Sequence, residues 1–363
     1  MSNEPVDTES PTSAAPGFIE KHFGEATSIQ FGIIVVLVLA LLTAPLWGGS
    51  YLYVLTLGSI WAILVMGWDI ISGHTGYISF GHSALSGSAA YSTALLVNHV
   101  GAYPMYVTIP MSIFVAFLVG MLFALPSLRL RGPYFSLVTF LSALILYRLV
   151  FPFGEYTGGE LGVSMPRLSS DPLIRYYTVL VPMLVIAGSL LYISRSNVGM
   201  VFKAIRANEP AVESAGLDTT KFKLWAFTLS SIPMGFGGAL LGHFFGNADP
   251  GTLLLIDRSI EMIVISAIGG MGSILGPLFA AYLFVILRDE VLLYVIDLSS
   301  TGRWIVLWVF SAAMLIYARE GIFRRFYLWV GQFSTLGAVL KGVVDWFRNV
   351  PTRVRSRFGG DRQ

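Results

Sequence analysis

The chain has 363 residues, of which 55% are hydrophobic and only 12% are charged, with a formal net charge of +2. Soluble domains contain about 25% charged residues, so this composition, with a mean hydropathy of +0.72, excludes a cytosolic enzyme, a nucleic-acid-binding protein and a disordered regulator. The absence of cysteine excludes disulfides, thiolate metal sites and cysteine nucleophiles. Composition therefore indicates a membrane protein.

The first predicted segment is a polar tail, residues 1–29, which is expected to be disordered. Residues 30–320 form a series of apolar stretches, and a helix needs roughly 20 such residues to cross a bilayer. The predicted spans are 30–49, 51–72, 78–97, 104–126, 133–152, 174–194, 223–245, two within 258–296, and 302–318. The predicted fold class is all-α, a polytopic transmembrane helical bundle of about ten spans with broken Gly-rich segments.

Lysine and arginine are unevenly divided among the loops that join these spans. With the N-terminus inside, ten of them fall in cytoplasmic loops and five in the opposite loops. Because these residues accumulate in short cytoplasmic loops, both termini are predicted to be cytoplasmic. The final segment, 321–363, combines aromatic and basic residues and predicts an amphipathic helix at the membrane surface. A regulatory docking segment is the alternative.

A polar, Gly-rich segment follows the second predicted span. Gly73, Gly76 and Gly81 are expected to break the helix, and exposed backbone within a membrane is tolerated only where protein or water covers it. The segment therefore predicts a substrate pathway. Its candidate residues are Asp69, Gly73, Thr75, Gly76, Tyr77, Ser79, Gly81 and His82. The alternative is a turn before a packing helix, in which Asp69 and His82 only bond neighbouring groups.

A second Gly-rich break, residues 269–273, divides the long apolar region 258–296. Glu261 lies in the span before it, and an acidic side chain inside a membrane is a functional candidate. We therefore add Glu261 to the candidate pathway residues. The alternative is a capping or snorkelling role at the outer interface beside Arg258.

The loop 195–223 carries the largest group of charges between predicted spans and reads as two short helices and a turn. Asn208 is a candidate N-cap, Gly216 a candidate helix stop and Asp218 a candidate cap for the next span. A compact helical element of this kind suits a docking surface. The alternative is an ordinary basic loop that enforces topology.

Motifs for ATP hydrolysis and for covalent chemistry are missing from the sequence. There is no phosphate-binding loop, no zinc-protease motif and no dinucleotide-binding fingerprint in a βαβ context. No cofactor or metal site is expected, and the chain is predicted not to be an enzyme. Energy for transport against a gradient would have to come from a partner or a coupling ion.

Five motifs in order resemble the permease subunit of branched-chain-amino-acid-type ABC importers, the LivM-like family. They are 69–83, similar to N-L-x-x-G-x-x-G-x-x-S-x-G-H-A; 128–135, similar to L-R-L-R-G-x-Y-F; 157–159, similar to T-G-G; 199–216, similar to an EAA-like coupling element; and 259–277. The resemblance covers about residues 50–320. Asp69 stands where the family has Asn, Tyr77 where Gln is usual, and Met200 where Arg is expected.

The resemblance implies an importer subunit in the plasma (inner) membrane. Its implied partners are a homologous second permease, two cytoplasmic ATP-binding subunits and an extracytoplasmic substrate-binding protein. The implied ATPase-coupling residues are Arg206, Glu209, Ala211 and Gly216. The solute stays open among branched-chain and other amino acids, urea and short amides.

The sequence leaves two other functions open. One is an ion-coupled secondary transporter or channel that uses Asp69, His82 or Glu261 as a proton or ion site. The other is a membrane scaffold held by its C-terminal helix. A complex with ATPase subunits would support the importer, and gradient-driven uptake by the chain alone would support the secondary transporter.

Overall fold

The structure is a computed structural model that describes residues 28–47, 49, 51–101, 103–130, 132–296, 299–317, 321 and 323. The predicted N-terminal tail lies outside these residues, except that 28 and 29 begin the first helix. The predicted C-terminal helix within 321–363 also lies outside the described residues, apart from 321 and 323. Residues 41–327 form one compact unit, and residues 28–40 make the first part of α1.

Helices dominate the described chain. In order they are α1 Ser28–Thr43, α2 Leu52–Thr75, α3 His82–Leu95, α4 Met105–Ser127, α5 Pro133–Leu149, α6 Gly154–Thr157, α7 Pro172–Arg195, α8 Asn197–Ser214, α9 Thr219–Phe245, α10 Pro250–Leu253, α11 Ile256–Gly269, α12 Leu275–Val285 and α13 Ser300–Tyr317. The π-helices Leu96–Val100 and Ile286–Val295 continue α3 and α12. The prediction of a helical fold is confirmed, with one addition: the two-residue strands β1 (Val163–Ser164) and β2 (Asn247–Ala248) pair antiparallel.

By length and composition, four helices in the described part of the chain can cross a membrane: α2, α4, α7 and α9. Shorter apolar segments occur at Ile34–Leu46, Pro133–Leu149 and Thr301–Met314. The ten predicted spans are therefore not confirmed as ten, and that number stays a prediction. The predicted division of 258–296 is confirmed, because α11 ends at Gly269 and α12 begins at Leu275.

Helix α2 is the centre of the compact unit. All of its 24 residues except Tyr53 and Leu55 are buried, and it packs against α7, α9, α11 and α12. A helix that is hydrophobic on every side is expected at such a position.

Helix α4 is built in the opposite way. Its buried residues are small or hydroxylated and recur mostly at every fourth position: Thr108, Ser112, Ala116, Gly120, Ala124 and Ser127. Its large apolar residues, such as Phe114, Leu118 and Leu122, are exposed. Small residues let membrane helices approach closely, while large apolar side chains suit contact with lipid. The face of α4 that carries the small residues is therefore covered by protein, and the face with the large apolar residues suits lipid.

Candidate functional site

The first break is the segment 76–81, which joins α2 to α3. Helix α2 ends because Gly76 has a φ of 80°, a left-handed conformation that favours glycine. The segment is held in place by Trp68, whose Nε1 donates to the Ser79 carbonyl at 2.8 Å. The Ser79 N–H donates in turn to Ser72 Oγ at 3.1 Å. The predicted break is present and its backbone groups are tied to α2.

The prediction that Gly73 breaks the helix is wrong, because Gly73 lies inside α2. Glycine is needed there for close approach. A Cβ at this position would lie 2.0 Å from Asp69 Oδ1 and 2.6 Å from the backbone nitrogen of Gly272. The second break, residues 270–274, therefore packs directly on the backbone of α2.

Asp69 of α2 holds the second break against that helix. Its carboxylate accepts hydrogen bonds from the Gly272 N–H, at 2.9 and 3.0 Å, and from Ser266 Oγ at 2.7 Å. His74 Nδ1 lies 3.4 Å from Asp69 Oδ2. Asp69 is fully buried, so these contacts replace the water that its carboxylate would otherwise bind. Segments 203 positions apart in sequence are joined by this one side chain.

The remaining predicted pathway residues of the first break also have partners within the chain. His82 is fully buried, with Nδ1 2.9 Å from Ser79 Oγ and Nε2 2.7 Å from Ser230 Oγ. Thr75 Oγ1 donates to the Ile71 carbonyl at 2.5 Å. These contacts agree with the alternative in which the polar side chains support the break.

Gly81 makes a close approach at the other end of the first break. A Cβ at Gly81 would lie 3.1 Å from the Thr139 carbonyl of α5. The Phe80 N–H donates to Thr139 Oγ1 at 3.2 Å. The first break is therefore also anchored to α5.

Glu261 lies elsewhere, eight residues before the end of α11, which is about 12 Å along a helix. It is 1% exposed and pairs with Arg258, whose Nη1 is 3.0 Å from Glu261 Oε2. Arg288 Nη1 lies 3.8 Å from the same oxygen. Arg258, beside which the sequence alternative placed Glu261, is thus an ion-pair partner, and Arg288 is a second arginine that the sequence did not suggest.

The loop 195–223 folds as predicted into two helices and a turn. Helix α8 is kinked at Asn208, which has φ −161° and ψ 92°, and Asn208 Oδ1 accepts from the Ala211 N–H at 3.2 Å. Gly216, with a φ of 84°, follows the end of α8. Asp218 Oδ1 accepts from the Lys221 N–H at 3.1 Å and caps α9. Ala211 and Gly216 are both exposed.

Arg206, in the first half of α8, contacts both breaks. Its Nη1 donates to the Gly73 carbonyl, at the end of α2, and to the Met271 carbonyl, at 3.2 Å, in the second break. A Cβ on Gly76 would lie 3.1 Å from Arg206 Cγ, and one on Gly272 would lie 2.7 Å from Arg206 Nη1. The arginine therefore fits against two glycines and binds a carbonyl on each side.

Glu209, just after the kink, also links α8 to the first break and to α9. It accepts hydrogen bonds from the Tyr77 hydroxyl, from Lys223 Nζ at 2.8 Å and from Thr219 Oγ1 at 3.0 Å. Burial raises the pKa of the Glu209 carboxyl, but the hydrogen bonds from Lys223 and Tyr77, with the positive charge of Lys223, more than offset it and leave the pKa below its usual value. Glu209 is therefore ionised at neutral pH.

Lys223 is the residue at this site that the sequence analysis missed. Its side chain is 2% exposed and also donates to the Tyr77 hydroxyl at 3.1 Å and to the Leu128 carbonyl at 3.4 Å. Its Nζ lies 4.6 Å from the centre of the Tyr77 ring. In the sequence, Lys223 resembles the other basic residues of the loop 195–223. Only its position at the start of a long apolar helix hints at burial.

Comparison with known proteins gives consistent results. A family model described as the branched-chain amino acid transport system / permease component matches residues 50–318. The high-affinity branched-chain amino acid transport system permease protein LivM of Escherichia coli K12 is 28% identical over 296 residues, covering 73% of this chain and 69% of the relative. The Salmonella typhimurium LivM has the same identity and coverage.

A more distant relative comes from Methanocaldococcus jannaschii. Its probable branched-chain amino acid transport permease protein LivH is 23% identical over 268 residues, covering 70% of this chain and 84% of the relative. No solved structure matches the chain. The family match spans the helices and both breaks described above, so this chain is a membrane protein that belongs to the family of branched-chain amino acid transport system permease components.

Proposed function

We propose that this chain is the translocation subunit of an ATP-binding-cassette importer in the plasma (inner) membrane, which moves branched-chain amino acids or similar small polar solutes. The names of its relatives support the solute class. The observation that carries the mechanism is the position of Arg206, which packs on Gly76 of the first break, donates to the Gly73 carbonyl beside it and donates to the Met271 carbonyl of the second break. One helix outside the long apolar spans is thereby linked to two breaks in the helical bundle.

The chain is proposed to act with four kinds of partner: a homologous second permease, two cytoplasmic ATP-binding subunits, an extracytoplasmic substrate-binding protein and membrane lipids. ATP hydrolysis belongs to the ATP-binding subunits, and this chain is not an enzyme. The occurrence of both LivM and LivH among the relatives supports a second permease. The excess of lysine and arginine in alternate loops supports cytoplasmic termini.

The proposed coupling element is α8. Ala211, on its second half, and Gly216, just after its end, are exposed, so a cytoplasmic subunit can contact them. Arg206 and Glu209 lie at the kink and connect α8 to the breaks and to α9. Closure of the ATP-binding subunits would displace α8, and these contacts would transmit the displacement to the breaks. ATP then biases a two-state equilibrium because it binds one state more tightly.

The proposed pathway residues divide into two groups. Asp69, Gly73 and His82 hold the breaks, through the contacts given above, and so position the wall of the pathway. Thr75, Gly76, Tyr77, Ser79 and Gly81 form the first break and its edge. Movement of this segment is proposed to open and close the inner end of the pathway.

Charge reversal on α8 tests this proposal. Arg206→Glu and Glu209→Lys are each expected to reduce ATP-driven uptake of leucine by at least tenfold, because each removes hydrogen bonds that link α8 to a break and to the neighbouring helix α2 or α9. A hydrogen bond to a charged group contributes about 1.5–3 kcal/mol. Uptake is measured in proteoliposomes that contain the assembled transporter. Insertion and assembly, followed by co-purification with the ATP-binding subunits, are expected to be retained.

Lys203→Glu is the matched control, because Lys203 lies one turn away on the same helix and the structure shows no hydrogen bond from it to either described break. It is expected to keep most of the uptake. Uptake that survives in Arg206→Glu and Glu209→Lys would contradict the coupling role. Uptake by the chain alone, driven by an ion gradient, would instead support a secondary transporter.

A further inference from the structure

Four charged side chains meet around Trp61 of α2. Arg258 and Glu261 belong to α11, while Arg288 and Asp289 belong to the π-helix that continues α12. Glu261 pairs with both arginines, at 3.0 and 3.8 Å, and Arg288 Nη2 lies 2.8 Å from Asp289 Oδ2. Both guanidinium groups lie over the Trp61 ring, 5.8 and 5.9 Å from its centre.

The cluster lies deep within the membrane-spanning part. Trp61 is about 14 Å from the start of α2 and about 21 Å from its end, at 1.5 Å per residue. Helix α2 is one of the four helices that can cross a bilayer. Because the two arginines contact Trp61, their charges lie at a similar depth. Charged side chains are rare at this depth and face protein or water-filled cavities.

The cluster is not sealed inside the chain. The side chains of Arg258 and Asp289 are 21% and 18% exposed, although Glu261 is only 1% exposed. On α4, the residues exposed at mid-helix are large and apolar, such as Leu118 at 48%. Arginine and aspartate are strongly disfavoured against hydrocarbon where leucine is favoured. The face that carries the cluster is therefore turned away from lipid.

We propose that Arg258, Glu261, Arg288 and Asp289 form a substrate site in the translocation path, which takes the charged ends of a zwitterionic α-amino acid. The inference rests on the proposed function. An arginine fork matches a carboxylate in geometry, so the arginines take the substrate carboxylate. Glu261 and Asp289 take its ammonium group. The ion pairs between these residues keep the charges neutralised when no substrate is bound.

The first test measures access from water. The natural chain has no cysteine, so Arg258→Cys and Asp289→Cys each introduce a single thiol. The assembled transporter is treated with a membrane-impermeant trimethylammonium methanethiosulfonate, with Leu118→Cys as the control at an equally deep, lipid-facing position. Both test thiols are expected to react at least tenfold faster than the control, since hydrocarbon disfavours charged groups by a factor on the order of a hundred.

The second test asks which groups the site recognises. Leucine is expected to slow the reaction of the Asp289→Cys thiol, since it occupies the site with both charged ends. Isoamylamine, which lacks the carboxylate, and 4-methylpentanoate, which lacks the ammonium group, are expected to protect much less. Equal protection by all three compounds, or protection by none, would overturn the assignment of a zwitterion site.

The outcomes separate this inference from the proposed function. If ATP-driven leucine uptake occurs and both thiols react as slowly as Leu118→Cys, the site is wrong and the importer function stands. If the thiols react but the assembled transporter takes up no amino acid, the zwitterion site and the importer function are both wrong. The Arg258→Cys variant keeps Arg288 as an ion-pair partner of Glu261. If Arg258→Cys fails to fold, the labelling rate of Asp289→Cys alone decides whether the site is reached from water.

Discussion

A buried lysine and a half-buried glutamate connect α8 to the first break. Lys223 is surrounded by Glu209, the Tyr77 hydroxyl and the Leu128 carbonyl. A buried charge is costly unless it is paired and hydrogen-bonded, and each of these groups supplies a bond that water would otherwise provide. Removing one partner leaves the others buried and unsatisfied, so the cluster behaves as a unit.

A double-mutant cycle tests this unit. Lys223→Met and Glu209→Gln are each expected to lower the free energy of unfolding, and the double variant is expected to lose less than their sum. The coupling should be roughly 0.5–3 kcal/mol, as for residues that share a network. Unfolding of the purified protein in detergent measures it. Lys221→Met, an exposed lysine two residues away, is the control, and additive losses would contradict the network.

The same cluster predicts a pH dependence. The pKa of Glu209 is lowered in the folded protein, so its ionised form contributes stability that is fully present above the unfolded pKa, about 4.3. That contribution is lost as the pH falls through the lower, folded pKa. The difference in melting temperature between the natural protein and Glu209→Gln is expected to be constant from pH 8 to pH 6 and to shrink below about pH 4. A constant difference at all these pH values would contradict the lowered pKa.

At the scale of elements, both breaks lie at the ends of helices, α2 and α11. Helix α2 ends where Gly76 adopts its left-handed conformation, and α11 ends where the second break turns back over α2. Both breaks are short, and Arg206 packs on Gly76 of the first and donates to the Met271 carbonyl of the second. The position of α8 is thereby fixed relative to two segments that are remote from each other in the sequence.

Gly76→Ala is expected to destabilise the protein, because a residue with a Cβ loses about 1–2 kcal/mol in a left-handed conformation and because the Cβ would press on Arg206 Cγ at 3.1 Å. Gly188→Ala is the matched control. Gly188 lies inside α7, a Cβ there would have no atom within 4 Å, and the change is expected to be neutral or to stabilise by about 0.5–1 kcal/mol. Melting temperatures of the two variants provide the comparison, and equal values would contradict the role of Gly76.

At the scale of the whole molecule, helices of similar hydropathy differ in how much of their surface is buried. Helices α2 and α4 are both strongly apolar, yet α2 is buried nearly all round, whereas α4 buries only a stripe of small residues. The charged cluster around Trp61 is a third kind of environment, mostly buried but partly exposed at Arg258 and Asp289, whose charges are not suited to lipid. These three environments are what a subunit needs if it contacts lipid on one side and a pathway on another.

The sequence by itself determined that this is a helical membrane protein, that helices end near Gly76 and Gly269, and that 195–223 forms two short helices, the second beginning at Asn208. These features depend on local properties, namely runs of apolar residues, glycine and capping side chains, which act over a few neighbouring positions. The same local signals were misleading at Gly73, where glycine serves close packing within a helix and no break occurs.

Only the tertiary structure decided that the second break packs on α2, that Arg206 binds both of them, that Lys223 is buried against Glu209, and that Arg288 joins Glu261. These contacts join positions that are 65 to 203 residues apart in several cases. No local pattern encodes such pairings, because they depend on which helix faces are packed together. The packing of these helix faces decides which charged side chains form pairs and which of them stay partly exposed.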